Sequence, residues 1–540
     1  MSSFRVITRN ILSNWAAYSL QIVIAFLLTP FILREIGDAR YGVWAIVVSV
    51  TGYYGLLDLG LRAGMTQYIT RYFSTGDMAR MNMAASSGFA LHAGCAICVG
   101  LFTVVAASVA PTYLSLSTEF EAEAVSCLLV VGFSTAIQFL LFPFSVALTA
   151  KQRFDIVTAI SGFSRLLSAV AMVCSLLVGY GLIGLCVAGA LGNILDYLLR
   201  WAVAHRILPE LKVSLRLINW ASCRECLVFG SWSAVISAST LVISFTDALV
   251  IGFFMPVSAI AFFTLANNLI KYFANLFVPV GHVFYPAATA LDARDDVAGL
   301  RRLYLTASRM ITLQATSIAL ITCFWAGDFY SLWIGQEYLS SSVYHSVPLL
   351  FRVLLVGAVC TAAQRIGSKI LLGRRQTRGL AWLFVAEGTL NLVISIALIG
   401  KYGLLGVAIG TVIPAVLCQG VLHPLMVCSN LRLSWSDYAR GVIWPTAAVV
   451  AILVPLLSVL RGVMYHDGWA NLFLAGAIAS MFAMVVIALF GLTPADRQQY
   501  LYPSARRILH LRPFSFDPLG LTAPHQVSIS HTHKQHQQTP

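Results

Sequence analysis

Tyr180-Gly181-Leu182-Ile183-Gly184-Leu185 returns 222 residues later as Tyr402-Gly403-Leu404-Leu405-Gly406-Val407. A second pair stands upstream of it: Leu148-Thr149-Ala150-Lys151-Gln152-Arg153 is matched by Leu371-Leu372-Gly373-Arg374-Arg375-Gln376, at an offset of 223. Each motif precedes an apolar run, and each offset encloses six such runs. An even number of crossings brings a chain back to the same side of a membrane, so the pairing predicts two six-helix halves related by an axis along the membrane normal. Chance similarity between glycine-rich apolar strings is the competing reading. The agreement of two motifs with the number of runs favours duplication.

The runs around these motifs are long. Apolar stretches, cut where charges or turn residues cluster, cover 11–33, 41–62, 82–110, 124–150, 156–178 and 182–204, then 226–254, 258–289, 303–327, 347–372, 380–399 and 404–428. Two more, 441–460 and 469–491, lie outside the repeat. A helix crosses the hydrocarbon core with about 20 residues. The expected fold class is an all-α membrane protein of about fourteen transmembrane helices. Its parts are six-helix bundles at 1–204 and 226–428, an interfacial linker at 205–225, helices 13 and 14 at 441–491, and a His-rich tail at 492–540. The first run is longer than a signal-peptide core and ends in Arg34-Glu35 without a small-residue cleavage site, so it reads as a permanent span.

Composition agrees. Of 540 residues 59% are hydrophobic and only 11% are Asp, Glu, Lys or Arg, against about 25% charged in soluble domains. This argues against a soluble enzyme, a secreted disulfide scaffold or a nucleic-acid module. The net charge of +13 is a topology signal. Loops on one side hold 22 Lys and Arg, from Arg5 and Arg9 through Arg71, Arg80, Lys151, Arg153, Arg374 and Arg375 to Arg512, and those on the other hold Arg34, Arg40, Lys401 and Arg461. The rich side is therefore expected to be cytoplasmic, with both termini inside. The linker 205–225 mixes Leu208, Leu211, Leu215, Ile218 and Trp220 with Arg206, Lys212 and Arg216, which suits a helix lying in the interface.

The cysteines are scattered through apolar runs, where Cys acts as a small hydrophobe. Two CxxC pairs, Cys95/Cys98 and Cys223/Cys226, lack further ligands nearby in sequence, and no metal site is expected. His525, His531, His533 and His536 stand in a polar tail that reads as disordered. No GxxxxGK[ST] loop is present, so no nucleotide cofactor is expected.

Ionisable residues inside apolar runs are functional candidates, because each costs at least about 2.5 kcal/mol at a helix centre. Arg200, Arg309, Arg352, Arg365 and Lys369 lie near run ends, where snorkelling to headgroups explains them. Asp58 and Arg62 stand i, i+4 and can neutralise each other. Lys271, Arg165, Asp196 and Asp247 lie deeper, and Glu387 occupies the repeat equivalent of Arg165. Structural ion pairs or helix-to-helix hydrogen bonds are one reading of them. The other is a polar cavity for an anionic headgroup, with Lys271, Arg165, Arg62 and Arg309 as its cations. Asp58, Asp196, Asp247 and Glu387 are then ion-pair partners or binders of a coupling cation, H⁺ or Na⁺.

Leu27-Leu28-Thr29-Pro30, Gly37-Asp38-Ala39-Arg40-Tyr41-Gly42 and Leu57-Asp58-Leu59-Gly60-Leu61 resemble the opening of the polysaccharide flippase family. That family belongs to the multidrug/oligosaccharidyl-lipid/polysaccharide exporter superfamily. The resemblance implies transport of undecaprenyl-diphosphate-linked oligosaccharides by alternating access, with the first two helices of each half lining the cavity. Asp58, Arg62, Asp247 and Lys271 would then face the headgroup. The partners expected are the lipid-linked oligosaccharide, membrane lipids, a glycan polymerase and a chain-length regulator, and no nucleic acid. A lipid II flippase ranks second, since the first two runs lack a dense set of arginines, and a cation-coupled multidrug exporter is a further alternative. A membrane glycan polymerase or glycosyltransferase would need a large external loop, and the longest here, 327–346, has about twenty residues.

Overall fold

Gly181 and Gly403 adopt nearly the same left-handed backbone, with φ of 55° and 53°. A residue with a Cβ is strained there. The Tyr-Gly-Leu motif thus encodes one chain reversal twice, in a computed structural model that describes residues 2–493 and 497 apart from 59, 60, 114–117, 152, 230, 341, 342 and 465–467. The described residues contain no strand.

The first half comprises α1 (Ser2–Gly52), a 3-10 turn (Tyr53–Asp58), α2 (Leu61–Ser74), α3 (Met78–Tyr113), α4 (Thr118–Ala150), α5 (Phe154–Leu177) and α6 (Gly181–Ile207). A joining segment carries a second 3-10 turn (Leu215–Leu217) and α7 (Trp220–Phe229). The second half runs through α8 (Ser231–Phe254), α9 (Val257–Leu276), α10 (Val278–Asp292), α11 (Val297–Phe324), α12 (Ala326–Ile334), α13 (Val347–Ala363), α14 (Arg365–Gly373) and α15 (Thr377–Ala415). A π-helical turn (Val416–Leu422) leads from α15 into α16 (His423–Asn430). Beyond it lie α17 (Trp435–Tyr438), α18 (Trp444–Val463) and α19 (Trp469–Val486).

Among the described residues, twelve stretches are long and apolar enough to cross a bilayer. Two of them, Ser19–Asp58 and Thr377–Asn430, have 40 and 54 residues, far more than the 20 or so that one crossing uses. Each turns at a glycine of positive φ, Gly37 or Gly403. Counting both twice gives the fourteen spans expected. Spans 2 and 8 both differ from the sequence reading, and both are broken. Span 2 does not stop at residue 62: it passes through the 3-10 turn and continues as α2. Span 8 breaks at Phe277, because a proline in the first turn of α10 offers no N–H to continue the ladder. The linker is also different, since it forms no continuous interfacial helix. It leaves α6 at Leu208 and lies along α3, where Asn82 and Ser86 bond the backbone of Glu210, Lys212 and Ser214. Those neighbours replace the internal hydrogen bonds a helix would have made.

Within each half the helices pack as a bundle, α4 against α3 and α6 in the first, α15 against α8 and α13 against α9 in the second. The halves meet through α1, which packs on α8 and α9. Gly42 makes this approach possible: a Cβ there would run into the Val257 carbonyl. Nearby, Trp333 Nε1 donates to the Phe26 carbonyl at 2.8 Å, and the Tyr338 hydroxyl donates to Asp38. These contacts lie at the end with few basic residues. At the basic-rich end α2 packs on α3, α4 and α7, and α10 on α14, α11 and α9. The last two spans lie outside this symmetry and pack on α11.

Candidate functional site

The broken second span of each half carries a polar stripe at helical spacing. On α2 the stripe is Arg62, Thr66, Thr70 and Ser74, with Gln67 and Arg71 beside it; Gln67, Arg71 and Ser74 are exposed. On α9 it is Thr264, Asn268, Lys271 and Asn275. Polar groups at this spacing would be costly against lipid tails, so they line a cleft. The cleft is sealed toward the basic-poor end, where the Tyr53 hydroxyl meets Thr246 Oγ1 at 2.5 Å and Asn268 Nδ2 donates to the Tyr41 hydroxyl at 3.4 Å. Lys271 lies just below the seal, its Nζ 5.6 Å from the centroid of Phe245. It sits deep in the bundle and yet is exposed. A desolvated ammonium with no ion-pair partner in contact would be unstable in hydrocarbon, so this placement suits a hydrated or anion-filled cleft.

Asp58 and Arg62 form the expected i, i+4 pair, with Nε to Oδ2 at 3.1 Å. The Arg62 guanidinium lies 4.4 Å over the Phe142 ring and 5.6 Å from that of Phe139. Its side chain keeps 39% of its exposure, enough for one edge of the guanidinium to meet a ligand. Two groups from the repeat are thus on hand, Arg62 in the first half and Lys271 in the second.

The carboxylates sort differently. Asp247 is buried and accepts from Thr411 Oγ1 at 3.1 Å and Asn391 Nδ2 at 3.5 Å. Asn391 Oδ1 and Ser395 Oγ are buried with no hydrogen-bond partner. The Asp247 carboxylate, the Asn391 amide and the Thr411 hydroxyl, joined by these bonds, offer oxygens of the type that holds a hard cation. Glu387 accepts from Gln419 Nε2 at 2.6 Å, and Gln419 Oε1 faces His423 Nδ1 at 2.9 Å. Asp196 is held by Arg200 at 2.8 Å and by Ser161 at 3.2 Å. Arg165 does not meet Glu387, its repeat equivalent; it donates to Gln21 at 2.6 Å on the outer seam of α1 and α5. Arg309 is buried and donates to the Gly441 carbonyl at 3.0 Å, tying α11 to the start of span 13. Among the described residues no three His, Cys, Asp or Glu side chains group as metal ligands. The His-rich tail lies outside the described residues.

Sequence reasoning overlooked His92. It lies on α3 with no exposed surface, stacks on Phe142 at 5.2 Å and faces Asp58 Oδ1 across 3.9 Å. One histidine in an apolar run gives no spacing signal of its own.

Residues 32–343, more than half of the chain, match the family described as polysaccharide biosynthesis protein. The chain belongs to that family. A Shigella flexneri protein assigned as an O-antigen transporter is 21% identical over 414 residues, which are 76% of this chain and 95% of its own length. In fold this polysaccharide biosynthesis protein is similar to the lipid II flippase MurJ in an inward closed conformation, with a TM-score of 0.68, 14% identity, and 88% and 98% of the two chains covered. It is also similar to an inward-facing multidrug resistance MATE family transporter of the MOP superfamily, with a TM-score of 0.64, 16% identity, and 75% and 94% covered.

Proposed function

We propose that the chain is a flippase that carries lipid-linked oligosaccharide repeat units, joined to undecaprenyl diphosphate, from the cytoplasmic to the outer leaflet of the bacterial inner membrane. Membership of the polysaccharide biosynthesis family and similarity to an O-antigen transporter support the substrate class. The observation that carries the reading is a polar stripe on the broken second span of each half, each with a cation, Arg62 on α2 and Lys271 on α9. Arg and Lys attract phosphate oxygens, Arg with two parallel donors. The diphosphate rests between the stripes, the sugars fill the cleft and the polyprenyl chain stays in lipid. Rocking of the halves then parts the contacts around Gly42 and exposes the cleft to the other leaflet. The excess of 22 basic loop residues over 4 supports cytoplasmic termini.

The work of the protein is translocation, with no bond made or broken in the substrate. Asp247, Asn391, Ser395 and Thr411 supply the site of a coupling cation, Na⁺ or H⁺, between α8 and α15. A glycan polymerase and a chain-length regulator are the partners that would take the product. The reading is tested by deleting the gene. Lipid-linked repeat units should build up in the cytoplasmic leaflet, and surface glycan should fall. Normal surface glycan with no such accumulation would overturn the proposal, and a drug-sensitive phenotype in its place would favour a cation-coupled exporter.

A further inference from the structure

The polar contacts around His92 are incomplete by one proton. His92 Nδ1 lies 2.9 Å from the Gly88 carbonyl, which can only accept, so Nδ1 carries the hydrogen and a neutral ring leaves a lone pair on Nε2. That atom is fully buried, has no hydrogen-bond partner among the described residues and stands 3.9 Å from Asp58 Oδ1. Lone pair thus confronts carboxylate. On its other side Asp58 holds Arg62 at 3.1 Å, and the Phe142 ring carries the Arg62 guanidinium at 4.4 Å and stacks on His92 at 5.2 Å. The ionisable neighbours of His92 are few. The 3-10 turn before α2 brings Asp58, α2 brings Arg62, and α4 contributes only the rings of Phe139 and Phe142. Within α3 itself Cys95 bonds the Leu57 carbonyl at 3.2 Å, and α7 approaches further along, with Cys223 at the Ser87 carbonyl.

We infer that Asp58 and His92 form a proton-binding pair that takes up a proton when an anionic diphosphate binds at Arg62. In the empty site Asp58 is the counter-ion of Arg62. A diphosphate competes for the guanidinium, and the released carboxylate then needs another partner. Protonation of His92 Nε2 supplies one: the proton comes from solvent, Nε2 becomes a donor, and Asp58 accepts from it. No covalent bond in the substrate changes. The charges balance better as well. With Asp58 neutralised by His92, the charge of Arg62 is left to meet the diphosphate. Because linkage is reciprocal, proton binding and headgroup binding each strengthen the other. The inference rests on the headgroup reading given above.

The test is calorimetric titration of the full-length detergent-solubilised protein with farnesyl diphosphate, over roughly pH 5 to 8, in buffers of different ionisation enthalpy. The ligand's own titration is common to every variant, so the difference between variants reads the protein group. Wild type should take up about one more proton per ligand than H92Q, and its affinity should fall up to about tenfold further over each unit of rising pH. D58N should lose the same increment, which separates the pair from a fold defect in either variant. Binding that depends on Arg62 but shows equal proton uptake in wild type, H92Q and D58N would overturn this inference alone. Absent binding, or binding indifferent to R62Q and K271A, would overturn the headgroup reading and this inference with it.

Discussion

At the scale of single residues, the cations of this protein separate by what they touch. Lys271 is exposed and has no ion-pair partner in contact among the described residues, whereas Arg309 is buried against a main-chain carbonyl. Lys271→Ala should therefore abolish transport, by tenfold or more, with normal insertion and thermal stability; full activity would remove it from the mechanism. Arg309→Ala should do the reverse. Losing a charged hydrogen bond in a buried site costs about 1.5–3 kcal/mol, read as a lower midpoint of thermal unfolding, with farnesyl diphosphate binding retained. Asp247→Asn keeps the shape but removes the charge from the oxygen cluster. It should abolish the response of transport to the coupling cation, measured as rate against Na⁺ concentration and pH, and an unchanged response would exclude this cluster. The presence of these charges within apolar runs was legible in the sequence. Which of them face the cleft was not, because the direction of a side chain depends on how helices pack, and Arg165 and Glu387, equivalent by repeat, end in unrelated surroundings.

At the scale of elements, the repeat motif and the helix breaks are the informative features. Gly181 and Gly403 turn the chain with positive φ in corresponding places. Substituting Ala at either should cost roughly 1–2 kcal/mol, similar in the two halves, and measured by denaturation of the solubilised protein. A large effect at one and none at the other would argue against equivalent turns. The breaks in spans 2 and 8 were not foreseen: in span 2 an apolar run that becomes polar resembles the end of a span, and in span 8 the apolar run continues across the break at Phe277. In α2 the polar residues instead stay helical and cover the cleft. Gly42 marks the closest approach of α1 and α9. Gly42→Leu should force the basic-poor end apart, and cysteine pairs placed across that end should then cross-link several-fold less. Undiminished cross-linking would show that the helices meet elsewhere.

At the scale of the molecule, two six-helix bundles joined by α1, α8 and α9 are closed at one end and lined by polar stripes below the closure. The number of spans, the duplication and the sidedness of the basic loops all came from the sequence, because lipid imposes length and charge rules on each span separately. The conformation did not, since both states of a rocking carrier satisfy those rules equally. The central claim is that this cleft moves a diphosphate-linked glycan between leaflets. Its most direct test is reconstitution into proteoliposomes with a labelled lipid-linked repeat unit, scoring the fraction in the outer leaflet by access to an impermeant glycosidase. Time-dependent movement between leaflets with wild-type protein, lost in the Lys271→Ala and Arg62→Gln variants, is the predicted result. Movement no faster than in protein-free vesicles, or equal in wild type and both variants, would contradict it.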